Sequence, residues 1–167
     1  MSRLRIEKLA RKHELTSFDC DNEALNRFLT RFAWQNQQAN AAQTYLALAD
    51  DVVIGFYTLV VGEVAFEGAP KRLAKGLARH PIPVMLLARM GVAVDWQGRG
   101  VGAGLIKDAL LRTVGAADIA GIRAFLVHAK DQNARRFYEH LGFESFLDEP
   151  LTLYRLLKDI RALIVAD

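Results

Sequence analysis

One cysteine, Cys20, is all that the 167-residue chain contains, so no internal disulfide can staple it. A lone thiol fits a reducing compartment. No histidine-containing nucleophile motif surrounds it, and Cys20 reads as a small buried filler. No apolar run reaches the length of a membrane span, and Met1-Ser2-Arg3-Leu4-Arg5 lacks the apolar stretch of a signal peptide. A cytoplasmic protein with no membrane partner is expected. Internal repeats, low-complexity tracts and an interdomain linker are missing, which predicts a single domain over residues 1–167. His13, His80, His128 and His140 are scattered without paired acids at ligand spacing, so no metal is expected. Neither sign of charge dominates: 22 Lys and Arg face 19 Asp and Glu, for a net charge of +3. That balance alone says little about a polyanionic partner.

Half the residues are hydrophobic and a quarter charged, enough to bury a core without staples. The basic residues are clustered. Arg3, Arg5, Lys8, Arg11 and Lys12 crowd the N-terminus; Lys71, Arg72, Lys75, Arg79 and His80 crowd the middle; Arg135 and Arg136 adjoin a later motif. Any one cluster reads as a solvated face, whereas three in a small domain point to a phosphate-rich substrate.

Strands are expected over Leu4–Leu9, Thr44–Ala49, Val52–Val61, Pro83–Val94, Ile122–His128 and Thr152–Leu157, with a hairpin turn at Asp50-Asp51. Asp21 is a plausible N-cap for a helix carrying Leu25, Phe28, Leu29 and Phe32 on one face. A short basic helix is expected over Pro70–Arg79, another over Asp131–Leu141 with Gly142 as its C-cap, and a last one from Lys158. The order predicts an α+β fold: a mixed, mostly antiparallel sheet of six to seven strands flanked by helices.

The most informative segment is Gln97-Gly98-Arg99-Gly100-Val101-Gly102, between the fourth strand and a helix whose Val101, Leu105, Ala109, Leu110, Thr113 and Val114 share a face. Glycines at such a junction let the backbone approach a ligand, and the helix start directs unpaired N–H groups at it. A pyrophosphate cradle is the functional reading; a tight turn capping a helix is the plain one. The Gly-Lys-Ser/Thr ending of a Walker A loop is absent, and the dinucleotide-binding spacing fits poorly.

The segment resembles the Q/R-x-x-G-x-G/A signature of the GNAT acetyltransferases, which hold the pyrophosphate of acetyl-CoA. Downstream, Asn133-Ala134-Arg135-Arg136-Phe137-Tyr138-Glu139-His140-Leu141-Gly142-Phe143 resembles the family's A-x-x-F-Y-x-x-x-G-F stretch. The resemblance implies the GNAT fold, splayed at the acetyl-CoA site. It implies Tyr138 as general acid to the departing thiolate, with Gln97, Gly98, Arg99, Gly100, Val101 and Gly102 on the pyrophosphate. Asn133 and Phe137 fall on the pantetheine side. Met90, Gly91 and Val92, at the end of the strand before the loop, are candidates for backbone contacts with the cofactor. Gly91 is also a candidate bulge point. That strand departs from the family's Arg-Leu-Ala-Val-Asp at Gly91 and Ala93. By spacing alone, Phe137 and Leu141 share a helix face expected in the core, with Tyr138 beside it.

From Phe18 onward the chain also resembles the GNAT toxins of bacterial toxin–antitoxin modules. Phe18–Leu29, Trp34–Gln38, Gly55–Leu59, His80–Arg89, Pro150–Leu153 and Lys158-Asp159 carry that likeness. It implies acetylation of the α-amine of aminoacyl-tRNA and arrest of translation. It further implies a ribbon-helix-helix antitoxin, operator DNA reached only through that antitoxin, and a homodimer. Two other readings stay open: acetylation of a small amine or a protein N-terminus, and a silent acyl-CoA-binding or co-repressor module.

An attacking amine must first lose its proton. Glu63, His80 and His128 have suitable chemistry, yet His128 ends an apolar strand and reads as a satisfied core histidine, and Glu63 as a solvated strand end. No histidine–carboxylate pair stands out. That mildly favours an α-amine, with a pKa of about 7.7–8.0, over a lysine ammonium near ~10.4. Asp19, Asp21 and Glu23 read as helix-start electrostatics.

Overall fold

The structure, a computed structural model, describes residues 4–166; Arg3 of the first basic cluster lies outside them. β1 (Leu4–Lys8) pairs antiparallel with β2 (Gln43–Ala49), and β2 with β3 (Val52–Val64). Asp50 and Asp51 turn that hairpin at φ +49° and +72°, the left-handed pair whose twist matches the strands it joins. β4 (Ile82–Val92) runs parallel to β5 (Ala124–His128), in register from Val84↔Ala124 to Leu87↔Val127. β6 (Glu144–Ser145) pairs antiparallel with β7 (Thr152–Leu156), which pairs antiparallel with β5. The seven strands lie in the order β1-β2-β3-β4-β5-β7-β6, the mixed sheet anticipated from the sequence. β6 is the addition, two residues being too short to show a period.

Two compact units interleave along the chain. One runs to Val60 and includes Ala88–Ala109; the other takes Val61–Leu87 and the chain from Leu110 onward. In the first, Leu29, Leu46, Leu48 and Phe56 form a core, with Phe18 set edge-on to Phe56 at 5.6 Å. In the second, Leu73, Ile82, Ala124, Phe146 and Leu156 do the same.

Helix α1 (Glu23–Arg27) is capped by Asn22 rather than Asp21. Asp21 sits at φ +61°, which leaves Asn22 extended with its Oδ1 accepting the Leu25 N–H at 3.1 Å. Asp19 shapes this turn by accepting from the Asp21 N–H at 2.9 Å and the Asn26 amide at 3.0 Å. Those bonds hold its carboxyl below the usual carboxylate range. The acidic run is therefore a turn as much as a helix start. A π-helical segment (Phe28–Phe32) follows, closed by the Ala33 N–H on the Phe28 carbonyl. The extra residue per turn rotates Phe32 off the shared face, leaving it 46% exposed, and puts Ala33 in its place. Helix α2 (Ala33–Gln38) continues from there.

Helix α3 (Lys71–Ala74) is much shorter than the Pro70–Arg79 expected, because Gly76 at φ +79° turns the chain away. Its carbonyls are taken up by Arg123, which donates to Leu73 O at 3.0 Å and Lys75 O at 2.8 Å. In helix α4 (Val101–Ala117) Leu105, Ala109, Leu110 and Thr113 are buried as anticipated, joined by Ile106, with Val101 and Val114 half-buried. Helices α5 (Gln132–His140) and α6 (Leu157–Ala166) complete the set.

Candidate active site

The glycine loop belongs to the first unit. At the end of β4, Gly91 is buried while Met90 and Val92 are half-buried. A Cβ on Gly91 would come within 3.1 Å of both Cys20 Sγ and the Phe56 ring. Close packing is thus what the structure asks of glycine there. Cys20 is buried, as its plain reading held. The Ala93 N–H then bonds Ile54 O at 2.8 Å, the Val94 N–H bonds Asp19 O at 2.9 Å, and Val94–Trp96 make a single 3-10 turn.

Gln97 and Arg99 spend their side chains on the loop itself. The Gln97 amide donates to Val92 O at 2.9 Å and Cys20 O at 3.3 Å. Arg99 donates to Asp95 O at 3.2 Å and lies 4.0 Å over the Trp96 ring. Both residues brace the turn and leave its backbone to face a ligand. Gly98 and Gly100 stand at φ +74° and +85° with no atom within 4 Å of an added Cβ. Here glycine is required by the left-handed backbone, and the space beside it is open. The Gly100 carbonyl accepts the Gly104 N–H at 3.1 Å and so starts α4. The N–H groups of Val101, Gly102 and Ala103 consequently have no acceptor within the helix. A cavity of about 380 Å³ borders this corner, lined by Arg99, Gly100, Val101, Gly104 and Asp108 with the β1–β2 edge. Exposed N–H groups at a helix start, shaped by two left-handed glycines, suit a phosphate oxygen.

Tyr138 belongs to the second unit. Asp131 is the N-cap of α5, its Oδ1 accepting the Ala134 N–H at 2.8 Å. Asn133 is exposed and accepts from Arg136 at 2.6 Å. The face expected from spacing is rotated: Tyr138 is 7% exposed, whereas Phe137 and Leu141 are half-buried. Leu141 already caps the helix, and Gly142 at φ +92° folds the chain back so that the Phe143 N–H bonds Tyr138 O at 3.1 Å. The Tyr138 ring is then held between Phe137 and Phe143, at centroid distances of 5.2 and 5.6 Å. Burial pushes its phenol up to about 12, which keeps the proton on oxygen. Its hydroxyl has no protein partner among the described residues, and it is not one of the polar atoms sealed off without one.

Of the candidate bases, Glu63 and His80 are exposed. His128 is exposed as well, which corrects its reading as a core histidine: its Nδ1 lies 3.1 Å from Thr152 Oγ1, and Thr152 donates to Glu149 at 3.2 Å. No linear signal joins these three residues, because β5 and β7 meet across 24 positions. The basic clusters are partly committed. Arg5 pairs with Glu7 and Asp51, Arg72 with Glu144 and Asp159, and Arg135 lies 3.6 Å from Glu139. Among the described residues no group of three or more His, Cys, Asp or Glu could hold a metal ion, and no helix is long and apolar enough to cross a membrane.

Known proteins share this fold. The acetyltransferase (GNAT) domain matches residues 40–145. A tRNA-acetylating toxin of Mycobacterium tuberculosis (strain ATCC 25618 / H37Rv) is 42% identical over 151 residues, 90% of each chain. The structure of AtaT complexed with acetyl-methionyl-tRNAfMet superposes with a TM-score of 0.89 at 29% identity, over 97% of this chain and 99% of that one. A tyrosine-to-phenylalanine mutant of the AtaT toxin, bound to the C-terminus of the antitoxin AtaR and to acetyl-CoA, gives 0.81 at 28% identity, covering 96% and 98%. The family domain takes in both the glycine loop and the Tyr138 stretch, and with a relative this similar over nine-tenths of its length the chain belongs to the GNAT acetyltransferase family.

Proposed function

We propose that this protein transfers the acetyl group of acetyl-CoA to the α-amine of an aminoacyl-tRNA and thereby blocks translation. The observation that carries the reading is the 42% identity to a tRNA-acetylating toxin across nine-tenths of both chains. The left-handed glycines at the start of α4 support it, since they leave N–H groups for a pyrophosphate.

In this reading, backbone N–H groups of Gly98, Arg99, Gly100, Val101 and Gly102 hold the pyrophosphate, while Gln97 and Arg99 keep the loop in shape. The β4 backbone at Met90, Gly91 and Val92 aligns the pantetheine and gives an N–H to the carbonyl oxygen that becomes an oxyanion. The family resemblance gives Asn133 and Phe137 a place on the pantetheine side. The amine attacks the thioester carbon, the C–S bond breaks, and the sulfur leaves as a thiolate. Tyr138 keeps its proton until that point because its ring is dry. Full transfer from so weak an acid to a thiolate is uphill. Its contribution is a hydrogen bond that strengthens as charge builds on sulfur, and the proton passes to the thiol only as the phenol is restored by the proton the amine sheds.

The toxin reading also brings a ribbon-helix-helix antitoxin, operator DNA bound through it, a homodimer and the cytoplasm, where charged tRNA is found. It takes the whole chain as one domain. The test is acetyl transfer from labelled acetyl-CoA to total charged tRNA. Tyr138→Phe should lose about 10²-fold or more in rate while keeping acetyl-CoA affinity. Transfer to polyamines or peptides with none to charged tRNA would overturn the reading.

A further inference from the structure

We infer that His128 is the proton acceptor for the incoming amine, and that the acidic cavity it lines receives the aminoacyl ammonium. The inference rests on the acetyltransferase reading above. His128 ends β5, one residue beyond the last parallel pair, Leu87↔Val127, and directly opposite Thr152 of β7. Carboxyl ends of parallel strands are where open α/β sheets place their ligands.

The hydrogen-bond chain at that point has only one direction. Thr152 has a single hydroxyl proton and donates it to the Glu149 carboxylate at 3.2 Å. Its oxygen can therefore only accept from His128, 3.1 Å away, so Nδ1 of His128 holds the ring proton. The neutral imidazole is left with its lone pair on Nε2. That is the tautomer a general base needs, oriented by a second group whose own orientation is set by a carboxylate. Thr152 is 6% exposed and doubly anchored, its N–H on Glu149 O at 2.9 Å and its carbonyl on the Phe146 N–H at 2.8 Å, so the relay cannot easily swing away.

The surroundings choose the substrate. His128 and Thr152 line a cavity of about 310 Å³ together with Glu63, Glu67, Asp148 and Glu149. Four carboxylates and no Lys or Arg line it among the described residues, in a chain whose net charge is +3. Such a cavity attracts an ammonium and repels phosphates, so it can admit the aminoacyl end of a charged tRNA but not its backbone. The proton balance is complete. His128 takes one proton from R–NH3⁺ and releases it to solvent after transfer; the amine nitrogen bonds to the acetyl carbon as the C–S bond breaks. Tyr138 gives its proton to the departing sulfur, and the second proton, lost from nitrogen as the amide forms, passes through water to restore the phenol.

The experiment is single-turnover transfer from acetyl-CoA to total charged tRNA by the full chain, from neutral to alkaline pH, with acetyl-CoA affinity measured by calorimetry. His128→Gln should lose about 10²-fold at neutral pH with unchanged acetyl-CoA affinity, and regain part of that rate at alkaline pH, where the amine is already free. Added imidazole should partly restore His128→Ala. Glu149→Gln should lose less, and add nothing to His128→Gln, because both act through one relay. A His128→Gln rate within twofold of wild type, or a loss that is equal at every pH and resists imidazole, overturns the role of His128. If the wild-type protein transfers acetyl to no charged tRNA, the acetyltransferase reading falls and takes this one with it.

Discussion

Gly91 and Gly100 are glycines for opposite reasons, and substitution should expose the difference. At Gly91 the backbone is ordinary and the space is full, with Cys20 and Phe56 in the way of a Cβ. At Gly100 the space is open and the backbone is left-handed at φ +85°. Gly100→Asp should therefore still fold, at a cost of about 1–2 kcal/mol, but its carboxylate would stand where an anion is to be held. We expect acetyl-CoA binding to be abolished in calorimetry, and unchanged affinity would sink the cradle assignment. Tyr138 allows a second test. Below pH 10 its phenol is neutral in both folded and unfolded chains. Above that the unfolded phenol ionises first, the folded state then holds more protons, and stability falls until the folded phenol ionises near 12. The drop is worth about 2–3 kcal/mol. Tyr154, also raised by burial, contributes in the same direction. Denaturant titrations of wild type and Tyr138→Phe across that window should show a shallower fall in the variant.

Among the elements, α5 has the clearest sequence signature and the most instructive error. The sequence starts this helix at Asp131, which is the observed N-cap; Asp131→Ala should cost about 1 kcal/mol in urea unfolding, with Asp131→Asn costing far less. The face it buries differs from the one the spacing predicts, since an i, i+4 pair counts only while the helix lasts, and Leu141 is already its cap. The segment from Glu23 to Gln38 errs for a related reason. A 3.6-residue period cannot show a π-turn, which here sets both Phe28 and Ala33 in the first core. Extent was lost at α3, where the left-handed Gly76 overrides a run of good helix formers. The β2–β3 hairpin needed no tertiary information, because Asp50-Asp51 tolerates the left-handed turn that the twist of the two β-rich runs on either side demands.

Across the whole molecule, charge is the property that bears most on a polyanionic substrate. Part of the basic excess is spent internally, as the pairing of Arg72 with Glu144 and Asp159 shows. Arg135 and Arg136 lie on α5 beside the Tyr138 stretch. Reversing both to Glu should weaken tRNA use, measured by gel shift and by transfer rate, much more than acetyl-CoA affinity, and should flatten the salt dependence of tRNA binding. Equal loss of both would argue against a role in holding tRNA. The order of strands and helices, the glycine loop and the Tyr138 motif were all legible in the chain, because each is carried by residues close together in sequence and by periods that local backbone geometry imposes. What only tertiary structure decided is non-local. Folding turned Tyr138 inward between Phe137 and Phe143, and set Gly91 against Cys20. It also brought Thr152 opposite His128, making a relay of residues that no spacing connects. A strand's register depends on the strand it meets, and no stretch of sequence contains both.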